Sequence, residues 1–192
     1  MSIIEDGSGS GFSAQVDSTN KLEVRSTTQA ANVEASINGD GYFVTSGAIN
    51  LTSASASAML WFQNADEFDY LIDRLIFGAG VSTGGTTNMC VVAAKINATG
   101  IGSGSGNPLT AINTNFGSKN QPTLTSSEIG AEAATITGGT PGPTFFFPDK
   151  ITSTIDTRII LPKGTALAFT VTPPASNSGM LAAVTLNISK VI

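Results

Sequence analysis

The chain has 192 residues, no histidine, one cysteine, a net charge of −5 and charged residues at only 12%. Within the chain these counts exclude a Ser-His-Asp or Cys-His catalytic site, an internal disulfide and a zinc centre of Cys and His ligands. The nine Lys and Arg residues are scattered singly among fourteen Asp and Glu, which leaves no basic patch for nucleic acid.

Taken in chain order, the apolar residues recur with period two. Phe12, Ala14 and Val16 alternate with polar residues, as do Leu22 and Val24, then Val33, Ala35 and Ile37. The first thirty residues are more polar and glycine-rich than the rest. Residues 1–30 are therefore read as an N-terminal arm or peripheral strands, and residues 31–192 as the β-sandwich domain. A turn follows at Asn38-Gly39-Asp40-Gly41, where Gly, Asn and Asp accept positive φ. Strands are predicted over 48–52 and 58–63. Residues 65–77 carry two patterns: Phe68, Leu71, Ile72 and Leu75 fall at helical spacing, whereas alternation sets Phe68, Tyr70, Ile72, Arg74 and Ile76 against Leu71, Asp73, Leu75 and Phe77. The β pattern on both sides favours the strand, with residues 64–67 as its hairpin connection.

Further strands are predicted over 89–96, 133–137, 158–161, 167–172 and 181–191. The glycine-serine run at 100–106 opens a polar loop region reaching about Gly130, and residues 138–143 form a second loop. Short strands at this spacing, separated by turn residues, predict an all-β fold. The expected form is an antiparallel β-sandwich, jelly-roll-like, with long glycine-rich loops and little helix.

Candidate chemistry is sparse. Neither Gly7-Ser8-Gly9-Ser10-Gly11 nor residues 100–106 has the lysine or the spacing of a phosphate- or dinucleotide-binding loop, so no cofactor is predicted. Asp66 and Asp69 offer the hard oxygen donors that calcium takes, but the run containing them with Glu67 and Asp73 reads as a solvated strand face. No catalytic or metal-binding residue is assigned. Cys90 lies in the apolar run Met89-Cys90-Val91-Val92 and reads as a buried thiol, and Trp61 as core. Phe145-Phe146-Phe147 is a sharper clue. Alternation puts Phe146 on one face and its neighbours on the other, which leaves a large apolar surface opposite the core. Burial in a subunit interface and burial under the adjacent loop would both satisfy it.

The opening residues Ile4-Glu5-Asp6-Gly7-Ser8-Gly9-Ser10-Gly11, with Ala14-Gln15-Val16-Asp17 and Asn20-Lys21-Leu22, resemble a family of virion structural proteins from tailed phages of marine and freshwater bacteria. Ile49-Asn50-Leu51-Thr52-Ser53-Ala54, Ser57-Ala58-Met59-Leu60-Trp61-Phe62-Gln63-Asn64, Asn115-Phe116-Gly117-Ser118 and Thr137-Gly138-Gly139-Thr140 are similar to it as well. None of these is a catalytic signature. The resemblance implies a non-enzymatic capsid decoration or cement protein, often homotrimeric, or else a tail or fibre component that binds a host-surface glycan. The expected partners are the major capsid protein and other copies of the chain, with no nucleic acid and no membrane. The expected location is the virion, on the capsid exterior, after assembly in the host cytoplasm. The opening residues lack a signal peptide's basic and apolar regions, and the apolar runs fall short of the roughly 18–20 residues that span a bilayer. Candidate capsid or subunit contacts are Ile3, Ile4, Phe12, Val16, Phe145, Phe146 and Phe147.

Overall fold

The computed structural model describes residues 3–5, 13–15, 31–80, 89–102, 107–148, 152–175 and 178–191. The chain divides into two compact units, Met1–Ala30 and Ala31–Ile192. In the first, β1 (Ile3–Glu5) pairs antiparallel with β2 (Ser13–Gln15), Ile3 opposite Gln15 and Ile4 opposite Ala14.

The second unit begins with helix α1 (Ala31–Asn38), followed by β3 (Gly41–Thr45), β4 (Ile49–Leu51), β5 (Ser57–Asn64), β6 (Tyr70–Ala79) and β7 (Met89–Gly102). Next come β8 (Asn107–Pro108), β9 (Ala111–Asn113), β10 (Leu124–Ile129) and β11 (Thr135–Pro148), then β12 (Thr152–Leu161), β13 (Ala166–Thr172) and β14 (Met180–Lys190). Sheet I has the order β11-β7-β13-β5-β10-β8, and sheet II the order β12-β6-β14-β3-β9 with β4 also on β14. Every pairing is antiparallel. Strands β5, β6 and β7 pair in turn with β13, β12 and β11. The chain runs out through three strands and returns along them in reverse, changing sheet at each step. That nesting is jelly-roll topology, and the fold is an all-β sandwich.

Period-two alternation builds the core directly. Phe62 of β5, Val92 of β7 and Leu167, Phe169 and Val171 of β13 join Ile72, Leu75 and Phe77 of β6 and Val184, Leu186 and Ile188 of β14 in one buried cluster. Strand β6 achieves this only through a β-bulge. Both of its neighbours skip Asp73, so Ile72 and Leu75 point the same way. Simple alternation puts those two residues on opposite faces and misses the extra residue. Cys90 is fully buried in this core, its Sγ 3.6 Å from Met180 Sδ.

Four local expectations are corrected. Val33, Ala35 and Ile37 are not on a strand but on α1, which ends in a Schellman motif. Asp40 N–H donates to Ala35 O at 2.7 Å and Gly39 N–H to Ser36 O at 3.2 Å, with Gly39 at φ 77°. The turn expected at 38–41 is thus a helix cap. Residues 64–67 are not a hairpin, because β5 and β6 belong to different sheets and this segment crosses between them. Residues 138–143 are not a loop but part of β11, which tolerates Pro141 and Pro143 because it is an edge strand. The polar stretch before Gly130 contributes β8, β9 and β10, and Leu109, Ala111 and Asn113 are buried.

Strands β7 and β11 are each fourteen residues long, yet β13 pairs with β7 only from Val91 to Ile96. Beyond that point the ribbon bends where Asn97 (55°), Gly138 (66°) and Gly139 (79°) take left-handed backbone. Its far half packs on the outer face of sheet I. Ala98, Ile101 and Ile136 close a second apolar cluster over Ala58, Trp61, Ala166 and Ala168. Trp61 donates its indole N–H to Ala98 O at 2.9 Å. The lone tryptophan is therefore buried as expected, in a small cluster outside the main core.

Gly130 ties the return of the chain to β5, its N–H donating to Met59 O at 2.7 Å. A Cβ there would lie 1.8 Å from Ala58 O. Gly130→Ala must push two backbones apart, and it is expected to cost about 3 kcal/mol, at the upper end of overpacking penalties. Urea denaturation with an unchanged m-value would show it.

Candidate functional site

The phenylalanine triplet divides as alternation requires. Phe147 is 2% exposed and packs on Phe77 of the opposite sheet, ring centroids 4.9 Å apart. Phe145 is partly buried on the same side, 6.4 Å from Phe147. Phe146 points outward and is 65% exposed. Of the three candidates, Phe147 is a core residue and Phe146 alone is open to a partner. No described loop covers it.

Phe146 does not stand alone. It is paired with Val91 of β7, and Pro148 with Met89, which is 44% exposed. The next outward positions are Ala93 with Thr144, and Thr170 and Thr172 of β13. None of these eight side chains is charged and five are apolar, so the register assembles an uncharged, mainly apolar outward strip at one border of sheet I. The other candidates give less. Ile3 and Ile4 lie in β1, described at the level of its backbone pairing, and Phe12 and Val16 lie outside the described residues.

The sheet borders are unsuited to strand addition. Strand β11 carries Pro141, Pro143 and Pro148, and β12 is broken at Thr157 and Arg158, where the register shifts and Arg158 has φ 49°. On the other side β8 has two residues and β9 three. Proline, bulges and short strands are the devices that keep open edges from pairing with another chain. Contact with a partner through the described residues must therefore use faces.

The charged residues fasten the fold. Asp66, in the crossing between the sheets, accepts the Tyr70 hydroxyl at 2.7 Å and the backbone N–H groups of Glu67 and Thr123. Burial opposes its ionisation, but these bonds and the Lys190 charge hold its carboxyl below the usual range. Desolvation, reinforced by Asp40 and Asp66, pushes the Tyr42 hydroxyl up to about 12. Burial raises Tyr70 as well, with the bond to Asp66 adding to it. Lys190 pairs with Asp40 at 3.6 Å and sits 5.0 Å from the Phe68 ring centroid. Asp69 accepts from Lys163 N–H. The two carboxylates considered for calcium thus accept backbone N–H groups, Asp66 from Glu67 and Thr123 and Asp69 from Lys163. Among the described residues no group of three metal-ligating side chains converges.

Glu132 is a second fastening, between the loops before β5 and before β11. Its Oε1 accepts the Thr52 N–H, the Thr52 hydroxyl at 2.7 Å and the Ser53 N–H at 2.9 Å. The Thr52 hydroxyl leads in holding its carboxyl below the usual value. A pKa lowered by folding contributes stability that is complete above the unfolded value and lost as pH falls through the folded one. Glu132→Gln is therefore expected to lower Tm at neutral pH and to flatten its fall below roughly pH 4. Thermal melts between neutral and acid pH check this.

No protein-family model matches the chain, and no curated protein does. Among solved structures it is similar to T=1 particles derived from infectious bursal virus, at 13% identity over 79% of this chain and 40% of that one, with a TM-score of 0.17. The chain thus spans two-fifths of that protein's length.

Proposed function

We propose that the chain is a non-enzymatic virion structural protein, a capsid decoration or cement protein that binds the assembled head of a tailed phage. The outward strip around Phe146 carries this reading. An uncharged apolar face beside blunted edges suits a protein that docks face-on against copies of itself and a larger surface. The resemblance of the opening residues to phage virion proteins supplies the partner, the major capsid protein, and the homotrimeric state. A protein that binds assembled shell and not free subunits stabilises the shell by mass action.

Electron cryo-microscopy of the particle tests the assignment. The expected result is trimeric density repeated over the head exterior by its symmetry, with Phe146 at a contact. Density confined to the tail would overturn it.

A further inference from the structure

Where the β7–β11 ribbon bends over sheet I, it leaves an open groove of about 580 Å³. That lies within the roughly 300–1,000 Å³ of small-molecule sites. Trp61 and Gln63 of β5 form its floor, Asn97 and Thr99 of the bend one wall, and Lys163 and Thr165 of the β12–β13 turn the other. One wall turns through left-handed backbone at a non-glycine residue, Asn97 at φ 55°, a conformation that clusters at functional sites.

The polar side chains are held by bonds that use only part of their capacity. Gln63 Nε2 donates to Gly164 O at 2.9 Å, and Asn97 Oδ1 accepts Ala166 N–H at 3.4 Å. Thr99 Oγ1 donates to Thr137 O at 3.2 Å and Thr165 Oγ1 to Pro162 O at 2.5 Å. What remains is the Gln63 carbonyl, the Asn97 amino group and the lone pairs of two hydroxyls, an array of donors and acceptors above Trp61, whose ring is itself only 5% exposed. Among the described residues Lys163 is the only charged one lining the groove, and its ammonium makes no ion pair. That ammonium is the group here that can pair with an anion.

We infer that this groove binds a carboxylated saccharide. The sugar hydroxyls bond the amides and threonine hydroxyls, and the carboxylate pairs with Lys163. The inference is independent of the virion assignment, because it rests on different residues: the groove and the Phe146 strip share the outer side of sheet I but no side chain.

Trp61 is the only tryptophan, so its fluorescence reports on the groove without a label. The intact chain is titrated with galacturonate, N-acetylneuraminate and, as the neutral control, glucose, each to millimolar concentration. A saturable change with at least one acidic sugar and not with glucose is expected. Lys163→Ala should weaken that sugar about tenfold, the scale of one charge-assisted bond. Asn97→Gly accepts the same left-handed backbone and removes the amide together with its bond to Ala166, and it should weaken binding at a temperature where its circular dichroism spectrum is still that of the wild type. No change with either acidic sugar, equal response to glucose, or affinity indifferent to Lys163→Ala overturns the inference.

Discussion

Asn64→Ala is expected to lower the unfolding free energy by about 4 kcal/mol, because three backbone groups lose their partner together. Asn64 is fully buried at the end of β5, where the chain leaves sheet I for sheet II. Its amide nitrogen donates to Phe68 O at 2.9 Å and Leu161 O at 3.0 Å, and its Oδ1 accepts Asp66 N–H at 2.9 Å. One side chain thus stitches the crossing, the end of β12 and the turn that positions Asp66. Alanine leaves two carbonyls and one amide without those bonds, and a hydrophobic replacement of similar size would fare no better. A change of this size should move Tm down by roughly 8–16 °C in a domain of this length. Differential scanning calorimetry at neutral pH measures it. A drop of less than a few degrees would mean that water replaces the amide and that the crossing is looser than described.

Phe147→Ala is the second large effect, expected at about 3–5 kcal/mol. Phe147 reaches from sheet I to Phe77 of sheet II, so its removal opens a cavity between the sheets. Phe146→Ala, one residue earlier, should change stability by no more than about 0.5 kcal/mol, as exposed positions do. The pair separates two roles within one sequence triplet. Urea unfolding of both variants is decisive: equal losses would mean that Phe146 is covered by protein and is not an outward face.

These residues show what the sequence reveals and what it does not. The alternation of β14 and of the first half of β7 is clean because each has one core face there, and it is readable without a structure. The faces of the phenylalanine triplet follow from the same rule. The hairpin at 64–67 fails because polar turn residues mark a reversal of direction without marking which sheet receives the next strand. Here that choice is fixed by long-range bonds from Asn64 and Asp66 to Leu161 and Thr123. The helix at 31–38 fails because Val33, Ala35 and Ile37 alternate as in a strand, while the decisive signal is the capping glycine Gly39 behind an alanine-rich stretch. The strip around Phe146 is half legible. Phe146 announces itself, but Val91 and Met89 become its neighbours only through the β7–β11 register. The groove over Trp61 is not legible at all, since it depends on a bend made of bulges and positive-φ residues on two strands far apart in sequence.

The most direct test of the proposal is co-sedimentation of the purified chain with genome-free heads of the tailed phage it would assign the chain to, wild type beside Phe146→Asp. The account predicts saturable binding by the wild type and loss of binding by the variant, whose melting temperature stays that of the wild type. Failure of the wild type to bind heads, or binding untouched by the aspartate, would contradict it.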